Sequence, residues 1–96
     1  MRTIHIDCKK DISCLAGYES GFQAYKTQIA PISISESIHI VIPKNIVYIS
    51  SSFIQGMLKE IVELCAKNGI AVREYLSVET LSDSAYIRKS FDRYIC

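Results

Sequence analysis

No basic run in this 96-residue chain is longer than the pair Lys9-Lys10. A nucleic-acid surface normally shows a basic stripe with aromatics between its members. Here 11 basic and 10 acidic residues are spread along the sequence and leave a net charge of +1, so nucleic acid is not an expected partner. The longest apolar stretches are about half a membrane span. The N-terminus, Met1 to Asp7, alternates and then turns charged, with no apolar core for export. The expectation is a cytoplasmic protein with no membrane partner.

Catalytic and metal signatures are scarce as well. Cys8, Cys14, Cys65 and Cys96 form neither a CxxC pair nor a zinc pattern, and they are read as thiols. His5 and His39 fall on expected strands without HxxxH or HxE spacing. The chain contains no GxSxG, no glycine-rich phosphate loop and no dinucleotide fingerprint. Convergent titratable groups, which catalysis usually requires, are not evident. The expected catalytic, metal and cofactor sets are therefore empty. A small enzyme using Cys8 or His5 stays open as an alternative.

What is present is an ordinary globular balance, 49% apolar and 22% charged residues, over one domain, 1–96. A core of this size supports a stability of roughly 5–10 kcal/mol. Ile4 and Ile6 alternate with polar residues and predict a half-buried strand at 3–7. Residues 12–14 are a weak second strand, and Tyr18 to Gly21 reads as a break. Ser20 and Gln23 have the spacing of a capping box, followed by Phe22, Tyr25 and Ile29 on one helical face, with Pro31 as the stop. Residues 37–43 are apolar on both faces and β-branched, as in a buried central strand.

The most informative element follows. Ser50, Ser51 and Ser52 stand at a helix start, and Ser52 with Gln55 suggests a second capping box. Ile54, Met57, Leu58, Ile61, Val62 and Cys65 continue one apolar stripe to the Asn68-Gly69 stop. Residues 70–76 read as another strand, which makes a βαβ unit with parallel strands and a right-handed crossover. A last amphipathic helix, 80–94, places Leu81, Ala85, the Arg88 stem, Phe91 and Ile95 inward. The fold class is α/β: a small mixed sheet with helices packed on it. The free edge at residues 3–7 favours a homodimer.

The serine corner has two readings. In one it only caps the helix and satisfies loop groups. In the other, hydroxyls exposed at the positive end of the helix dipole recognise an acidic group or accept a phosphate.

The stretch Ile38 to Glu63, and Ser51-Ser52-Phe53 with Gly56-Met57-Leu58 in particular, resembles the STAS superfamily of anti-sigma factor antagonists. The closer resemblance is to the STAS-like domain family of unknown function, whose members show a Ser-Phe at this corner and a short helix ahead of the buried strand. It covers about residues 17–76. By position, Ser50 stands at the family's Asp, Ser51 at its phosphorylated serine and Ser52 at the next hydroxyl, while Phe53 replaces a glycine. The resemblance implies a regulatory protein-interaction module that docks a partner through Ser50, Ser51, Ser52, Phe53 and Gln55. It also implies phosphorylation at Ser51 and a histidine-kinase-like ATPase as the partner. A stand-alone phage or mobile-element inhibitor of a host enzyme is the alternative binding role.

Overall fold

The computed structural model describes residues 1–82 and 85–95. Cys96 and part of the expected 80–94 helix lie outside the described residues. Strands β1 (Arg2–His5), β3 (Ile38–Ile42) and β5 (Leu76–Thr80) form a sheet in the order β1-β3-β5. A separate pair joins β2 (Cys14–Leu15) to β4 (Tyr48–Ile49). Every described pairing is parallel, so the expected mixed sheet narrows to a parallel one. Helix α2 (Ser51–Lys67) runs between β3 and β5, completing the expected βαβ unit around the central strand.

One face of the sheet is covered and the other is open. Register aligns Ile4 with Ile40 and Ile38 with Leu76, and these side chains all belong to the core. Ile54, Met57, Leu58, Ile61 and Cys65 of α2 join the same buried cluster. Each buried aliphatic side chain contributes about 1.5–3 kcal/mol. The opposite face carries two cross-strand rows, Thr3-His39-Ser77 and His5-Val41-Glu79. His39 is half-buried there; its ring hydrogen-bonds Ser77 Oγ at 2.6 Å and Glu79 Oε1 at 3.1 Å.

Helix α1 (Tyr18–Ala24) continues as a π-helical turn over Tyr25–Ile29, closed by the Ala30 N–H on the Tyr25 carbonyl at 2.9 Å. The expected break at Tyr18 to Gly21 is thus the first turn of a helix. The Ser20/Gln23 capping box is not used; Gln23 donates instead to Glu19. Glycine here meets a packing demand. A Cβ on Gly21 would collide with the Phe53 carbonyl of α2, and a Cβ on Gly56 would collide with the Tyr18 carbonyl of α1. The two helices cross with backbone against backbone, each supplying the gap for the other.

Three further expectations are corrected. The strand expected at 70–76 begins only at Leu76, because Val72–Tyr75 form a one-turn helix, α3. That turn buries Tyr75 and lets its hydroxyl donate to the Ser33 carbonyl at 2.7 Å, a long-range contact that outweighs the β-propensity of the local residues. The last helix, α4, is Ala85–Ile95. It buries Ile87 and Phe91, a spacing of four, while Leu81 is 51% exposed before the helix begins and Ala85 and Arg88 are exposed. The weak strand expected at 12–14 is displaced to Cys14–Leu15.

The core makes one prediction about alkaline pH. Burial, and then the Glu60 carboxylate that accepts its hydroxyl, push the Tyr25 phenol from 10.0 up to about 12. The unfolded chain releases this proton near pH 10. Folded-state stability is therefore complete below that pH and declines as pH rises toward about 12. Tyr25→Phe should remove this part of the alkaline loss. Urea midpoints of the two proteins are expected to converge between about pH 10 and about pH 12.

Candidate functional site

Strand β4 leads into α2 through Ser50, whose φ of −72° and ψ of 155° end the extended backbone. Its hydroxyl accepts the Phe53 N–H at 3.2 Å and the Gly17 N–H at 3.3 Å, and lies 3.1 Å from Ser52 Oγ. Ser50 is therefore the cap, which corrects the expected Ser52/Gln55 box. Ser50 also ties the start of α1 to the start of α2. Gly17 has a φ of 93°, which brings its amide to Ser50 at no steric cost.

The five expected docking residues divide by environment. Ser50 and Ser52 are half-buried and bonded to each other, while Ser51 and Gln55 are exposed. The Ser51 side chain has no hydrogen-bond partner among the described residues. Phe53 is 3% exposed and sits in the core cluster, so its expected place on the docking surface is corrected. The physical reason is register. Phe53 is next to Ile54 and one turn ahead of Met57, on the side of α2 that faces the sheet and α1.

Ser51, Gln55 and Lys59 follow at intervals of four, so they form a line on the outer side of α2. This line borders a groove of about 360 Å³ containing Tyr18, Gln55, Leu58, Val62 and Tyr94. Val62, expected in the inward stripe, is instead 38% exposed there. Gln55 Nε2 donates to the Tyr94 hydroxyl at 3.2 Å, joining α2 to the end of α4. Sequence reasoning missed Tyr18 and Tyr94 as wall residues. Nothing in their local pattern says that α1 and α4 flank the same side of α2.

The alternative chemistry based on Cys8 meets an unfavourable environment. Burial, and then the neighbouring Asp7 charge, push the Cys8 thiol up, away from the thiolate a nucleophile requires. His5 stands exposed on the open sheet face, in the row with Val41 and Glu79. His39 is held between Ser77 and Glu79, the hydrogen-bonded arrangement a structural histidine adopts. Among the described residues, no group of three or more His, Cys, Asp or Glu side chains is placed to hold a metal ion. No described helix is long and apolar enough to cross a membrane.

Comparison of the chain with protein-family models, curated proteins and solved structures finds no match.

Proposed function

We propose that this protein is a non-enzymatic, regulatory protein-interaction module of STAS-like type. It docks its partner along the outer side of α2, from the serine corner at Ser51 to the groove beside Val62. The observation that carries this reading is the alignment of Ser51 and Gln55, one turn apart, with an open apolar groove directly beyond them. Tyrosines beside an aliphatic floor are the composition of interaction hot spots, and exposed Tyr18 with half-buried Tyr94 supplies them here.

In this reading Ser51 is the residue that carries regulation. Phosphorylation would add close to two negative charges at the first turn of α2, where the helix dipole tolerates them, and would change the charge that a partner meets. A histidine-kinase-like ATPase is the partner class that the resemblance suggests. The exposed border of β1 supports self-association as a second contact.

Capture from the native host, with the bound fraction quantified, tests the reading. Ser51→Asp and Val62→Asp are expected to reduce capture of the ATPase at least tenfold with little change in the urea midpoint. Ser50→Ala has the reverse profile. It removes the cap and should cost about 1 kcal/mol of stability while capture persists. Equal capture by all three variants would reduce the corner to a helix cap.

A further inference from the structure

Strand β5 borders the sheet. The Leu81 N–H reaches the Ile42 carbonyl of β3 at 3.0 Å. Backbone groups alternate in direction along a strand, so residues 77, 79 and 81 turn theirs toward β3. Leu76, Val78 and Thr80 turn theirs away from the sheet. The Leu76 N–H is taken by the Val72 carbonyl at the end of α3. The outward N–H and C=O of Val78 have no partner among the described residues.

Helix α4 runs beside this free border, and a cleft of about 240 Å³ lies between them. Val78 of the strand and Phe91 and Ile95 of the helix give it an apolar lining. Arg73, just ahead of β5, and Arg88, on α4, add two guanidinium groups against one carboxylate, Asp92, among the described lining residues. We propose that this cleft binds an extended acidic peptide segment of a partner protein. The segment adds a strand to β5, sets an apolar side chain beside Phe91 and Ile95, and pairs its carboxylates with Arg73 and Arg88. Strand addition to an exposed border draws affinity from main-chain hydrogen bonds and specificity from alternate side chains. Guanidinium forks supply the preference for carboxylate. The five residues of β5 offer room for about five residues of peptide at about 3.3 Å each. This site is separate from the outer side of α2 and does not depend on the docking role given to Ser51.

The test is selection of random seven-residue peptides, displayed on phage, against the immobilised full chain. The expected result is an enriched set that alternates apolar residues and carries Asp or Glu. Fluorescein-labelled copies are then measured by anisotropy. Val78→Pro removes the outward N–H without touching the ladder to β3, since proline is tolerated on a border strand in that orientation. It should weaken binding at least tenfold. Arg73→Glu with Arg88→Glu should do the same, and Ser51→Asp should leave affinity unchanged. No enriched set, a basic or uncharged set, or peptides that bind Val78→Pro and the double arginine variant as tightly as the parent would each overturn the proposal. A dimer by light scattering that Val78→Pro dissolves would also overturn it, by placing a second copy in the cleft. Should Val78→Pro fail to fold, the double arginine variant decides alone.

Discussion

Gly56→Ala is expected to destabilise the protein by about 3 kcal/mol, toward the upper part of the range for overpacked cores. The substitution would improve helix propensity by about 1 kcal/mol in an exposed helix, so local preference acts in the opposite direction. The loss comes from the crossing of α1 and α2. The added methyl would meet the Tyr18 carbonyl and the Phe22 amide, which are backbone atoms and cannot rotate aside. Gly21→Ala meets the Phe53 carbonyl and the Met57 amide in the same way and should cost a similar amount. The double variant should lose less than the sum, because helices pushed apart by one methyl already make room for the other. Gly69→Ala is the control. No atom of the described residues lies within 4 Å of its Cβ, and strain there comes from its positive φ of 66°, so about 1 kcal/mol is expected there. Urea unfolding monitored by circular dichroism measures all four variants. A Gly56→Ala protein as stable as the parent would mean that the helices do not cross this closely.

Phe91→Ala should cost about 3–5 kcal/mol, the range for a buried aromatic truncated in a core. Phe91 is 1% exposed and shares with Ile87 the anchoring of α4 to the rest of the fold. Two large residues, one turn apart, hold an eleven-residue helix whose remaining positions are exposed or half-buried. Truncating one of them should release α4 locally before the sheet unfolds. Hydrogen exchange is therefore expected to rise first in α4, while β3 and α2 keep their protection. Limited proteolysis should cut the variant within 85–95. Uniform loss of protection across the chain would instead show that α4 and the sheet unfold as one unit. Because Tyr94 walls the groove on α2 and Ile95 lines the cleft beside β5, the same variant is expected to weaken both proposed interactions.

Much of the layout was legible in the residues. The buried central strand, the long helix after the serines, its glycine stop at Gly69 and the parallel return strand all follow from apolar period and punctuation. The serine corner was legible as a strand-to-helix turn, although the capping oxygen belongs to Ser50 rather than Ser52. Ser51 and Gln55 stand exposed where the pattern placed them, while Phe53 turned inward. The bulk and hydrophobicity of Phe53 suit an interface or a core equally well. Only the angle at which α2 lies on the sheet separates the two.

Local chemistry determined which segments extend and which coil, because period and capping act over a few neighbouring residues. Tertiary structure decided what each surface faces. Gly21 reads as a breaker and Val62 as core when each is taken alone. The first becomes a crossing point, and the second a groove wall, because α1 lies against α2. The strand return starts at Leu76 rather than Ile70 because Tyr75 reaches Ser33, 42 positions away in the chain. Such contacts join residues far apart in sequence, and a pattern confined to one element carries no information about them.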